Sequence, residues 1–152
     1  MVRSQDSQIE MRFPCKPEFV RTIRRAVVDF AESFNVPESV VAEIEVAASE
    51  AVTNVMRHAY PGGKRKSPVF VRCRRTNVDF MVEVIDNGSG FNVPPDDFAP
   101  EVDVERDGGF GIVLIRNLMD TVNYESGPNA GTHIRMTKRA KNALSRNRAQ
   151  RP

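Results

Sequence analysis

The chain has 152 residues, 40% of them apolar and 28% charged, with a formal net charge of +2; that is length for one domain with a real core and too little for two. Cys15 and Cys73 have neither CxxC spacing nor a histidine cluster beside them, which excludes a disulfide framework and a zinc site and leaves reduced, buried thiols. Met1 to Met11 lack an apolar h-region and no apolar run approaches about 18 residues, so a soluble cytoplasmic protein without a membrane partner is expected.

Residues 8–13, Gln-Ile-Glu-Met-Arg-Phe, alternate in polarity like a half-buried strand, and Pro14 and Pro17 end it. From Glu18 to Phe34 the apolar positions Phe19, Val20, Ile23, Val27, Phe30 and Phe34 recur at three- and four-residue spacing, which predicts an amphipathic helix. Asn35-Val36-Pro37 interrupts the pattern, and Pro37 suits the first turn of a second helix reaching about Ala59. One side of that helix carries Ile44, Ala48, Ala51, Val52 and Val55; along another, Glu50, Asn54 and His58 follow one another at i, i+4 and i+8.

Pro61-Gly62-Gly63 and the basic residues after it predict a loop, followed by adjacent antiparallel strands over 68–75 and 78–85 joined near Thr76-Asn77. The second strand leads straight into Asp86-Asn87-Gly88-Ser89-Gly90. Residues 91–107 are acidic and broken by Pro94, Pro95 and Pro100, the composition of a long loop such as a lid. Gly108-Gly109-Phe110-Gly111 opens an apolar helix through Met119, and two strands over 121–125 and 132–137, separated by the turn composition of 126–131, close the domain. Helices in two blocks and strands mostly in hairpins predict an α+β sandwich with a mixed sheet. Six Lys or Arg residues and no acid lie between Lys138 and Pro152, so the domain is expected to span 1–138 and a basic, solvated tail 139–152; with no aromatic residue there for stacking, a nucleic-acid partner is not expected.

Three places can carry chemistry. Glu50 and Asn54, one helical turn apart, can pair a carboxylate that acts on an attacking hydroxyl with a neutral amide oxygen for magnesium, although such a pair also occurs on ordinary exposed helix faces. Asp86, where a strand meets a glycine-rich turn, suits an inward carboxylate that accepts from an exocyclic amine such as that of adenine; Gly88 and Gly90 let backbone approach a flat ring, and a plain Asp-Asn-Gly turn is the simpler reading. Gly109 and Gly111 precede a helix whose free amides and positive dipole end can cradle phosphates, in neither a Walker nor a dinucleotide arrangement. Arg106 can reach a terminal phosphate or a partner's acidic surface, or simply be a solvated loop residue. Thr132 can offer a hydroxyl to a base pocket or serve as a β-former. His58 and His133 lack the signature of a nucleophilic triad.

In order, Glu50-Ala-Val-Thr-Asn54-Val-Met-Arg-His58-Ala-Tyr60, Asp86-Asn-Gly88-Ser-Gly90, Arg106-Asp-Gly-Gly109-Phe110-Gly111-Ile112 and Gly131-Thr132 resemble the nucleotide boxes of the GHKL (histidine-kinase-like) ATPase superfamily. Within it the chain, over residues 8–138, is most similar to the bacterial anti-sigma-factor serine kinases of the anti-sigma F and anti-sigma B type. Its length, the short path between the two glycine boxes and the lack of a preceding phospho-acceptor helix hairpin set it apart from the gyrase, mismatch-repair, chaperone and sensor-kinase branches. The resemblance implies a Bergerat-type two-layer sandwich, helices on one face of a mixed, mostly antiparallel sheet, with ATP and Mg2+ as cofactors. It implies Glu50 as general base, Asn54 as magnesium ligand, Asp86 on the adenine amine, and Gly88, Gly90, Arg106, Gly109, Phe110, Gly111 and Thr132 around the nucleotide. It further implies a serine-protein kinase that phosphorylates an anti-anti-sigma (STAS-domain) partner, sequesters a sigma factor and forms a homodimer; the alternative is a non-catalytic, ATP-dependent protein-binding module of the same fold. The acidic segment 92–105 departs from the family pattern.

Overall fold

The computed structural model describes residues 6–58, 67–89, 109–126 and 130–140. Strand β1 (Ser7–Phe13) leads through a 3-10 turn at Pro17–Phe19 into helix α1 (Val20–Glu32) and helix α2 (Glu38–His58). Strands β2 (Val69–Arg75) and β3 (Asp79–Asp86), helix α3 (Gly109–Leu118), and strands β4 (Thr121–Ser126) and β5 (Thr132–Arg139) follow.

Local chemistry sets the boundaries. Pro17 opens the 3-10 turn, so the regular helix starts later than the apolar spacing implied. Asn35 takes φ 55°, the left-handed conformation that asparagine tolerates at a helix C-terminus, and closes the first helix. The Pro37 carbonyl accepts the amides of Val40 and Val41 at 2.9 and 3.0 Å and starts the second. In the β2–β3 turn the Thr76 hydroxyl accepts the Asp79 amide at 3.0 Å and replaces a missing ladder bond.

The sheet order is β1-β2-β3-β5-β4, and the α+β sandwich stands as expected. The sheet is mostly antiparallel as expected, and all four ladders among the described strands are antiparallel. Two helices between β1 and β2 bring the chain back to the end it left, which makes those neighbours antiparallel. One helix between β3 and β4 makes them run the same way, but β5 enters between them and is antiparallel to both.

The inward residues Val71, Cys73, Phe80, Val82, Val84, Ile134 and Met136 pack against Ile23, Val27, Ile44, Ala48, Ala51, Val55 and Ile115 of the helices. Ala47, Ala48 and Ala51 are all buried and let the α2 backbone come close to its neighbours. Phe80, fully buried, meets the Phe30 ring at 5.8 Å; truncation of such a side chain costs about 3–5 kcal/mol. Cys15 and Cys73 are both free and buried, and burial pushes the Cys73 thiol up to about 12, so it stays protonated and inert.

At the far end of the sheet the buried Arg75 donates to the carbonyls of Asp79 and Ala140, while the Ala140 amide donates to Val78. These bonds tie Ala140 to the β2–β3 end of the sheet. The remaining tail, like the acidic segment 92–105, lies outside the described residues.

The outward face has its own centre. Arg72 Nη1, His133 Nε2 and Arg135 Nε donate to the Glu83 carboxylate at 3.1, 2.9 and 2.9 Å, and the residue is 1% exposed. Burial alone would raise its pKa; the hydrogen bonds from Arg135, His133 and Arg72 outweigh burial and hold it below the ordinary carboxylate range.

Candidate functional site

Glu50 and Asn54 lie on the flank of α2 that faces the first turn of α3. The contact is close: a Cβ on Gly111 would sit 2.8 Å from Glu50 Oε2 and 3.1 Å from Asn54 Nδ2. Glycine is what lets the α3 backbone descend onto both side chains. Asn54 is buried, and its Nδ2 has no hydrogen-bond partner among the described residues. An unfilled buried donor costs about 1–3 kcal/mol, so this N–H suits an acceptor from outside the described residues. Among the described residues no group of three or more His, Cys, Asp or Glu gathers as a metal cluster; magnesium takes few protein oxygens and completes its shell with phosphate and water, so one amide oxygen beside a carboxylate fits it.

Helix α3 begins at Gly109, and its first amides have no partner within the helix. Its other end is tied down. Lys138 Nζ donates to the Leu118 carbonyl at 2.6 Å and pairs with Glu43 at 2.7 Å, linking α3, α2 and β5. The cation also neutralises the negative end of the helix dipole and leaves the N-terminal end as the electropositive one. Phe110, in the first turn, is 52% exposed and packs into no core.

Asp86, Thr132 and Ser126 stand opposite one another on β3, β5 and β4. Asp86 is 2% exposed. Its Oδ1 accepts the Gly88 amide at 2.6 Å, whereas Oδ2 is buried without a partner among the described residues. Burial pushes its pKa up; the Gly88 amide and the Thr132 hydroxyl oppose the rise without cancelling it. What results is a carboxylate with one oxygen anchored and one open.

Gly131 holds this corner. At φ 71° its Cβ would fall 2.2 Å from the Asp86 carbonyl oxygen, so only glycine fits. The Gly131-Thr132 pair is legible in the sequence, but the packing job of Gly131 is not. Ser126 escaped sequence reading altogether, because it heads a run of turn residues; in the structure it is the last residue of β4, facing Thr132.

The structure thus brings together Glu50, Asn54 and Gly111 at one place and Asp86, Gly88 and Thr132 at another, with Gly109 and Phe110 at the head of α3. Both groups lie on the helix-bearing side of the sheet. Gly90, Arg106 and the side chain of His58 lie outside the described residues. His133 faces the opposite side, on Glu83, away from Glu50. No helix among the described residues is long and apolar enough to cross a membrane.

Comparison with known proteins identifies the family and the fold. Residues 13–138 match the family model described as histidine kinase-like ATPase domain. The serine-protein kinase RsbW of Bacillus licheniformis is 32% identical over 145 residues, covering 91% of this chain and 88% of that protein. RsbW of Staphylococcus aureus is 29% identical over 99% of this chain and 98% of its own length. Among solved structures, the RsbU and RsbW domains of a Mycobacterium tuberculosis protein superpose with a TM-score of 0.64 at 18% identity over 88% of this chain, which spans 32% of that one. The histidine kinase domain of a blue-light activated kinase from Erythrobacter litoralis gives 0.55 at 20% identity over 88% of this chain, which spans 64% of that one. These two share the fold.

Proposed function

The chain belongs to the histidine kinase-like ATPase family, on the branch of the RsbW serine-protein kinases, and from that premise we propose that it binds ATP with magnesium and moves the γ-phosphoryl group to a serine of an anti-anti-sigma, STAS-domain partner. In the same reading it sequesters a sigma factor, acts in the cytoplasm and works as a homodimer, with its basic tail solvated outside the ATPase unit. The observation that carries the proposal is Asp86 Oδ2, a buried acceptor without a partner among the described residues, on the helix-bearing side of the sheet.

Each residue then has a task. Asp86 Oδ2 accepts the exocyclic amine of adenine, with Thr132 and the Gly88 amide steadying the carboxylate. Gly88 and Gly90 admit the flat ring. The free amides at the head of α3, from Gly109 through Phe110 to Gly111, receive phosphate oxygens, and Arg106 reaches the terminal phosphate. Asn54 supplies an oxygen to magnesium, which when bound offsets the charge of the phosphates.

Glu50 is the general base. As the serine oxygen forms its bond to the γ-phosphorus, the hydroxyl proton passes to the Glu50 carboxylate and the bond from phosphorus to the β–γ bridging oxygen breaks, so ADP leaves with that electron pair. The approach of Gly111 to Glu50 Oε2 favours turnover over a binding-only module, since it sets the carboxylate beside the amides that would hold the phosphates.

Labelled ATP, magnesium and a serine-bearing partner test the reading. Glu50→Gln is expected to keep ATP affinity within about twofold and to lose transfer by roughly 100-fold or more. Undiminished phosphorylation by Glu50→Ala removes Glu50 from the role, and ATP binding by the native chain without transfer to any such partner favours the binding module.

A further inference from the structure

The packing of α3 on α2 carries a polar contact at each end. At one, Gly111 lies against Glu50 and Asn54. At the other, Lys138 Nζ reaches in from β5, donates to the Leu118 carbonyl at 2.6 Å and pairs with Glu43 Oε2 at 2.7 Å. Glu43 and Glu50 are seven residues apart on α2, and Gly111 and Leu118 are seven apart on α3, so each pair returns to nearly the same side of its helix about 10 Å further on. The two helices run in opposite senses, and both contacts lie along one seam, with the buried Ala47 between Glu43 and Glu50.

The end of α3 is held on β5 without Lys138. The Asp120 amide donates to the Thr137 carbonyl at 2.9 Å, and the Arg139 amide donates to Asp120 Oδ2 at 2.6 Å. What Lys138 adds is the link to α2. A helix hinged at one end and not pinned to its neighbour swings at the other: a tilt of about 6° over about 10 Å moves the amides at the head of α3 by about 1 Å. Hydrogen bonds to phosphate oxygens do not survive a displacement of that size.

We infer that Lys138 and Glu43 are positioning residues for the phosphate end of the nucleotide: by joining the last turn of α3 to α2 they fix the register in which Gly111 meets Glu50 and Asn54 and the head of α3 faces the phosphates. This rests on the reading of the α3 amides as phosphate ligands. The base pocket at Asp86 and Thr132 stands at the other end of β3 and β5 from Lys138, so the pin acts on the phosphates and leaves the base alone. A brace for the fold would lower the melting temperature and move both parts of the nucleotide together.

The test compares ATP with adenosine, which lacks the phosphates, by calorimetric titration of the full chain with magnesium, adenosine being read by competition with ATP. The native chain binds ATP more tightly, and the ratio measures the phosphate end. Lys138→Met lowers that ratio roughly 5- to 10-fold, because the competent pose of α3 is then only fractionally populated, and leaves adenosine within about twofold. Glu43→Ala lowers it in the same direction, by roughly threefold, and the double variant falls no further than Lys138→Met alone. Glu43→Ala decides the matter where Lys138→Met does not fold, and its sign separates position from charge, since removing a negative charge on its own draws ATP in more tightly. A higher ratio in Glu43→Ala, an unchanged ratio in both variants, losses that add in the double variant, or equal weakening of ATP and adenosine overturns the pin and leaves the nucleotide reading standing. A native chain that does not bind ATP, or binds it no more tightly than adenosine, overturns the reading of the α3 amides as well.

Discussion

Glu83 and Asp86 are three residues apart on β3, point to opposite faces of the sheet and are almost equally buried, at 1% and 2% exposure. Their acidities nevertheless move in opposite directions, Glu83 down and Asp86 up. Burial raises both. The difference is in the partners: Glu83 receives two guanidinium groups and an imidazole, whereas Asp86 receives one backbone amide and keeps one oxygen without a partner among the described residues. A buried carboxylate whose acceptors are filled by its own chain is part of the scaffold. One left half-filled has a solvation cost that a ligand can relieve, and β3 carries one of each.

Three substitutions probe that contrast. Gly131→Ala should have the largest effect, about 3 kcal/mol of stability, because its Cβ strikes the Asp86 backbone and φ 71° disfavours any side chain; a melting curve reads it, and nucleotide binding falls with it. Glu83→Gln should cost about 2 kcal/mol, a charge-assisted network lost in part to solvent because Arg72 and Arg135 are partly exposed, and should leave ATP affinity within about twofold. The smallest effect on stability, under about 1 kcal/mol, is expected for Gly111→Ala, whose Cβ meets the mobile end of Glu50 rather than backbone. Its transfer rate should drop at least tenfold, as the base is pushed aside; a normal rate would detach Gly111 from the site.

Acid sharpens the same contrast, with opposite signs. Glu83 has a depressed folded pKa, so its contribution is fully present above the unfolded value of about 4.3 and is lost as pH falls through the folded value. Asp86 has a raised folded pKa, so its contribution is present below about 3.9 and is lost as pH rises through the folded value. Urea melts across that range should therefore show a shallower acid loss of stability in Glu83→Gln than in the native chain. An identical slope would mean that Glu83 is not held by its three donors.

Much of this was legible in the residues, and what was not has physical reasons. The alternation of Ile9 and Met11, the heptad-like stripe from Phe19 to Phe34 and the turn at Thr76 report local geometry, and local geometry set those elements. Asp86 could be found because a strand running into Asp-Asn-Gly is a local signal too. The insertion of β5 between β3 and β4 could not, since nothing in either strand records its neighbour. Glu83 reads as a solvent-side residue of an alternating strand; its burial comes from Arg72, His133 and Arg135, which are 11, 50 and 52 residues away. Ser126 reads as turn composition, and becomes informative only when register sets it opposite Thr132. Arg106 and Gly90 lie outside the described residues, so their expectation rests on the residue pattern and the family resemblance.

The central claim is that the open oxygen of Asp86 belongs to the nucleotide and the closed shell of Glu83 to the fold. Magnesium-ATP titrations of Asp86→Asn and Glu83→Gln, run side by side with their melting curves, test it most directly. The account predicts that Asp86→Asn weakens ATP by roughly 10- to 100-fold with its melting temperature held or raised, while Glu83→Gln binds normally and melts earlier. Normal ATP affinity in Asp86→Asn, or equal losses in both variants, would contradict it.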